Sequence, residues 1–133
     1  MRVWVVAHIN SHEEVHADVR AAIARLRNAG VSLLSQSVLL RGVNDSAESL
    51  QQLFVTLVEE GIKPYYLHQL DLAEGTQHFR VPLEAAMQLF SKLRGQLPGY
   101  CLPQLMVDIP GGHGKVPAEP AWVERRADNT WKF

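Results

Sequence analysis

The sequence predicts an α/β fold: successive parallel βα units forming a partial, half TIM-like barrel of about four strands and three helices, followed by an irregular C-terminal tail. Three observations carry that prediction. Short β-branched runs alternate with amphipathic segments along the chain. Polar residues gather just after the apolar runs, where parallel sheets place their sites. The 133 residues are about half of the roughly 250 that a closed (β/α)₈ barrel takes.

Each element has a local reason. Val3-Trp4-Val5-Val6-Ala7-His8 is the first strand, and Ser11 with Glu14 reads as a capping box that opens a helix. Val15, Val19, Ala22, Ile23 and Leu26 form one apolar stripe on that helix, and Gly30 is its C-cap candidate. Residues 31–40 supply the second strand and its exit loop. Asp45 and Glu48 open a second helix, whose Leu50, Leu53, Phe54, Leu57 and Val58 share a side and which stops at Gly61. Residues 62–70 give the third strand, with Pro64 near its start, where a missing N–H does least harm. Pro82 suits the first turn of a third helix carrying Leu83, Ala86, Met87, Phe90 and Leu93, broken by the stretch from Gly95 to Gly99. A fourth strand over residues 104–109 leads into a glycine-rich turn. The predicted domains are a partial barrel over residues 1–116 and a tail or arm over 117–133, containing Pro117, Pro120, Trp122 and Trp131.

Composition narrows the class. A hydrophobic fraction of 47%, a charged fraction of 20% and a formal net charge of −1 describe an ordinary globular domain. No basic footprint points to nucleic acid, and no apolar run approaches the roughly 20 residues that cross a bilayer. Val3 to Ala7 is too short for a signal-peptide core, so a cytoplasmic location is expected. The one cysteine, Cys101, forms no internal disulfide and does not supply the thiolates of an iron–sulfur cluster.

The most informative motif is Pro110-Gly111-Gly112-His113-Gly114-Lys115-Val116, which puts one lysine in a glycine-rich turn just past a strand. Glycines there let backbone N–H groups approach an anion. The lysine either meets a phosphate as a fixed charge or, if its pKa falls, attacks a carbonyl and holds an aldehyde cofactor as a Schiff base. A nucleotide P-loop is excluded, because Ile109 stands where a glycine is needed and Val116 where Ser or Thr is needed. The segment His12-Glu13-Glu14-Val15-His16 matches the H-E-x-x-H zinc pattern, a remote hydrolase reading set against a solvated helix start. A third set gathers at predicted carboxyl ends of strands: His8, Asn10, Gln36, Arg41, His68, Asp71 and Asp108. Each alone is unremarkable; together at one rim they form a candidate site.

Several of these runs resemble a known family. His8-Ile9-Asn10, the stretch Gln36 to Asp45, Lys63-Pro64-Tyr65-Tyr66-Leu67-His68-Gln69-Leu70-Asp71, His78-Phe79-Arg80 and Asp108 to Lys115 are similar, in that order, to the carboxyl-terminal half of the barrel in lysine 2,3-aminomutases, over residues 4–120. These are radical S-adenosylmethionine enzymes that also use pyridoxal 5′-phosphate (PLP). The resemblance implies that Lys115 is the lysine that holds PLP as a Schiff base, in the turn of Gly111, Gly112 and Gly114. It further implies that Asp71 and Asp108 hold the ε-ammonium of substrate L-lysine, and that His8 and Gln36 lie near S-adenosylmethionine. Two carboxylates suit a buried ammonium, which needs charged acceptors to offset its lost hydration. The implied reaction moves the amino group of lysine from C2 to C3, giving β-lysine.

The chain also departs from the family. The amino-terminal half, with its three-cysteine [4Fe-4S] motif and S-adenosylmethionine segment, is absent, so a fragment or truncated relative, inactive by itself, is expected. Ser46 stands where some members have a zinc-binding cysteine, so no structural zinc is expected. His68 replaces a tyrosine of some members and resembles the relatives that make β-lysine for elongation factor P, whereas Asp108 and the glycine turn look closer to the free-lysine enzymes. A non-catalytic PLP- or phosphate-binding remnant stays open beside both. A half barrel leaves an open edge and an uncovered face, so a homo-oligomer through that edge or the C-terminal arm is expected.

Overall fold

The structure is a computed structural model that describes residues 1–118, 124–125, 127 and 131–132. Its centre is a five-stranded sheet in the order β1 (Trp4–His8), β2 (Ser32–Leu39), β3 (Lys63–Gln69), β4 (Gln104–Asp108) and β5 (Lys115–Pro117). The first four strands are parallel and β5 is antiparallel to β4. Three helices, α1 (Ala17–Asn28), α2 (Ala47–Glu59) and α3 (Leu83–Gln96), make the crossovers. This is the partial parallel α/β architecture expected, with one strand more. A two-stranded antiparallel ribbon, β6 (Glu124–Arg125) with β7 (Trp131–Lys132), follows. Pro120 and Trp122 lie outside the described residues.

One face of the sheet carries the core. Leu33, Leu39, Leu67 and Leu105 from the strands pack with Ile23 of α1, Leu50, Leu53, Phe54 and Leu57 of α2, and Phe90 and Leu93 of α3. The stripe expected on α2 is buried as such, with Val58 packed at its margin. Helix ends follow backbone chemistry. Gly30 and Gly61 take φ of 77° and 76°, and their N–H groups donate to Arg27 O and Val58 O. Val31 N and Ile62 N reach back to Leu26 O and Leu57 O, so the last carbonyls of α1 and α2 are satisfied.

Several local expectations need correction. The Ser11–Glu14 capping box forms, but it closes only a 3₁₀ turn at His12–Glu14; the chain bends at Val15, and α1 starts after His16. Val15 is therefore buried outside the helix, and Leu26, predicted to share its stripe, is exposed. Ser46, not Asp45, caps α2: its hydroxyl accepts from Ser49 N, while Asp45 Oδ1 accepts from Gly42 N. Helix α3 runs through Gly95 to Gln96 and ends at Leu97, before Pro98, whose ring disfavours helical backbone at the preceding residue. Leu83 is exposed rather than part of the α3 stripe. Lys115 does not lie in the turn: it is the first residue of β5.

Strand β3 contains the irregularity that positions the site. Ser35 of β2 pairs with Pro64, but the next residue, Gln36, pairs with Tyr66, so Tyr65 is an extra residue in β3. Pro64 has no N–H to give the ladder, which makes this the place where an extra residue disturbs pairing least. Side chains alternate with period two, so one inserted residue reverses the face of everything after it. Tyr66 and His68 consequently share the face of Gln36 and His8, away from the helices.

Candidate functional site

The helix-free face of the sheet collects the predicted residues. His8 is registered with Gln36, and Gln36 with Tyr66; one row further on, Val38, His68 and Met106 align; then Asp108 faces Lys115. Residues more than a hundred positions apart in the chain thus share one surface at the carboxyl ends of the parallel strands.

Lys115 is placed by the β4–β5 hairpin. Ile109 N donates to Gly114 O, closing a turn in which Gly111, Gly112 and Gly114 have φ of 90°, 80° and 87°. A side chain strains such backbone, and nothing lies within 4 Å of where a Cβ would stand at Gly112 or Gly114. The hairpin brings Lys115 Nζ to 2.5 Å from Asp108 Oδ1. The other oxygen, Asp108 Oδ2, is 3.6 Å from His68 Nδ1. His68 is buried, and its pKa is lowered first by desolvation and next by the Lys115 ammonium, against the opposing pull of Asp108 and Asp71, with His8 lowering it slightly further.

Asp71 approaches from the loop after β3. Arg80 Nη2 donates to Asp71 O, Gln69 Nε2 donates to Val81 O and Arg41 N donates to Phe79 O, which straps residues 79–81 across the rim. Asp71, Arg80 and Asp108 line one cleft of about 590 Å³, closed on its apolar side by Val81, Leu83 and Val107. Beside His68, the rings of Tyr65 and Tyr66 stack at 3.8 Å and their hydroxyls share a hydrogen bond of 2.8 Å, which together with desolvation raises the Tyr66 pKa.

Two predicted rim residues also tie the rim together. Asn10 Oδ1 accepts from Val38 N, and Arg41 contributes its backbone N–H to the strap. Buried Asn44 holds the rim from beneath: its amide donates to Asn10 O and Val38 O, and its Oδ1 accepts from Leu40 N. Arg80 was not assigned a role from sequence; its place between a 3₁₀ turn and a proline-capped helix was the available signal. The H-E-x-x-H pair is split between elements, His12 in the 3₁₀ turn and His16 at the start of α1, so the two imidazoles do not lie one helical turn apart. Among the described residues no group of three metal-ligating side chains is placed to hold an ion. Among them, too, no helix is long and apolar enough to cross a membrane.

A parallel βα sheet with a lysine and two carboxylates at its carboxyl rim defines an α/β protein whose candidate site is a charged cluster on the open face of the sheet. No protein-family model matches the chain. Curated relatives are nonetheless similar over nearly all of it. It is 43% identical to the L-lysine 2,3-aminomutase of Clostridium subterminale over 121 residues, 91% of this chain and 29% of that protein. It is also 43% identical to the L-lysine 2,3-aminomutase of Escherichia coli (strain K12) over 119 residues, 90% of this chain and 35% of that protein. The Fusobacterium nucleatum L-lysine 2,3-aminomutase is 41% identical over 91% of this chain and 28% of its own length. The chain belongs to the lysine 2,3-aminomutase family, and it spans about a third of the length of the curated relatives it matches.

Proposed function

We propose that this chain is the PLP- and lysine-binding portion of a lysine 2,3-aminomutase-like isomerase, the enzyme that converts L-lysine to β-lysine. The observation that carries this reading is the Asp108–Lys115 pair, with Asp71 on the same cleft. The residues fit PLP. Lys115 offers an amine whose side chain is 44% exposed, and the glycines before it leave backbone open to an anion. PLP bound there would supply a conjugated imine to the migrating nitrogen.

The chain's own residues do the rest. Asp108 Oδ1 accepts from Lys115 Nζ and keeps that nitrogen at the rim until an aldehyde competes for it. Once Lys115 is neutral, Asp108 is free to take a second cation, and with Asp71 it forms a two-carboxylate seat for the ε-ammonium of lysine. The apolar wall of Val81, Leu83 and Val107 suits the methylenes of such a substrate and excludes water. The chain does not fit the iron–sulfur cluster: its single cysteine, Cys101, is buried. Radical chemistry with S-adenosylmethionine therefore belongs to the part of the relatives' length that this chain does not span, and His8 and Gln36 are the residues that would face it. That part would also cover the open face of the sheet and the free edge of β1. The isolated chain is then inactive in turnover.

The test is a PLP titration followed by absorbance, borohydride trapping and peptide mapping, with Lys115→Ala alongside. One adduct per chain, on Lys115 and absent from the variant, is expected. Labelling scattered over surface lysines and unchanged in Lys115→Ala would sink the reading.

A further inference from the structure

His68 is the residue of this face whose chemistry the proposed reaction leaves unused. Among the described residues no hydrogen bond reaches either ring nitrogen: Nε2 is buried without a partner, and Nδ1 stands 3.6 Å from Asp108 Oδ2, too far for one. The opposite oxygen of the same carboxylate holds Lys115 Nζ. One carboxylate, with one negative charge, therefore stands between an amine and an imidazole.

The charged and titratable groups that act on His68 come from three strands and one loop: Lys115 of β5, Asp108 of β4, His8 of β1 and Asp71 after β3; β2, paired beside it, brings the uncharged Gln36 and Val38, while the Tyr66 ring meets it edge-on at 5.5 Å. Burial and the Lys115 ammonium favour the neutral ring, and the two carboxylates favour the charged one. If Lys115 loses its charge, one of the two larger forces against the imidazolium disappears. Asp108, half-buried, is then left without a cation, and a carboxylate taken from water without a partner is costly.

We propose that His68 is a positioning residue for Lys115 that acts through Asp108, taking up a proton when Lys115 Nζ gives one up, so that Asp108 keeps a cationic neighbour until substrate ammonium arrives. The exchange balances. Lys115 passes from ammonium to amine with loss of one proton, His68 passes from imidazole to imidazolium with gain of one at Nδ1, and Asp108 remains a carboxylate. Net charge at the rim is unchanged, and the nitrogen lone pair that an aldehyde needs is exposed without stranding an anion. The proposal rests on the reading of Lys115 as the carbonyl-reactive amine.

The experiment follows the His68 imidazole by ¹H–¹³C NMR against pH in the full chain, its resonance identified by its loss in His68→Gln. Lys115→Met should raise the His68 midpoint by about one pH unit or more, the usual effect of removing a close like charge. Lys115→Arg keeps the charge and should leave the midpoint near its starting value, and Asp108→Asn should lower it. A midpoint unmoved in Lys115→Met, or moved equally in Lys115→Arg, would overturn the proposal, because a ring that only fills space does not respond to charge. The two readings fail separately. An absent PLP adduct with a raised midpoint in Lys115→Met removes the cofactor and keeps the charge coupling; a Lys115 adduct with an unmoved midpoint does the reverse.

Discussion

The two faces of the central sheet are built from alternate residues of the same strands, yet they carry different burdens. On the helix side, Leu33, Leu39, Leu67 and Leu105 are buried against α1, α2 and α3. On the other side Trp4 is 58% and Val6 42% exposed, and beyond them lie His8, Gln36, His68, Asp108 and Lys115. Buried apolar side chains are concentrated on one face and polar and charged ones on the other. A face that contributes little to the core can hold polar side chains without unfolding the protein, and here it also leaves Trp4 and Val6 exposed.

The sharpest way to break this comparison is a matched pair of substitutions. Phe54→Ala, in the helix-covered core, should cost about 3–5 kcal/mol in urea unfolding. Trp4→Gln, on the open face, should stay within about 0.5 kcal/mol in the same assay. Comparable losses would mean that the two faces are equally covered in solution.

A second pair separates structural from chemical residues within the rim itself. Asn44→Ala removes the side chain that bonds Asn10 O, Val38 O and Leu40 N, and a loss on the order of 2–3 kcal/mol is expected. Asp108→Asn breaks a partly exposed ion pair and should cost under about 1 kcal/mol, since solvent screens such pairs. If thermal melts rank these two in the opposite order, the rim carboxylate is part of the scaffold.

The smallest effect is a pH dependence. The folded-state pKa of His68 lies below its ordinary value of 6.5, so the unfolded chain protonates first. Its contribution to stability is present above that value, falls as pH drops through the window below it, and levels off under the folded-state pKa. In His68→Gln the difference between stabilities at neutral and mildly acidic pH should shrink. An unchanged difference would assign the acid sensitivity to other groups.

How much of this was legible in the sequence differs by element. The α2 stripe of Leu50, Leu53, Phe54 and Leu57 was readable because a helix that buries one side repeats its apolar residues at a fixed period. Gly30 and Gly61 were readable because left-handed backbone at a helix end favours glycine. The break at Val15 was not, since Ser11 and Glu14 satisfy the same capping rule whether one turn follows or four. Strand β5 was missed because three residues, one of them Pro117, carry no period and pair only with a strand already in place.

By itself, then, the sequence determined the order of the four parallel strands and three helices, the buried side of α2, and which residues stand at the strand ends, because each of these depends on local backbone preference and on patterns within a few residues. Tertiary structure alone decided the faces and the pairings. The extra Tyr65 in β3 turns His68 to the open side, and the β4–β5 register sets Lys115 against Asp108. Both are relations between strands, and a single chain of letters records no distance between residues that only folding brings together.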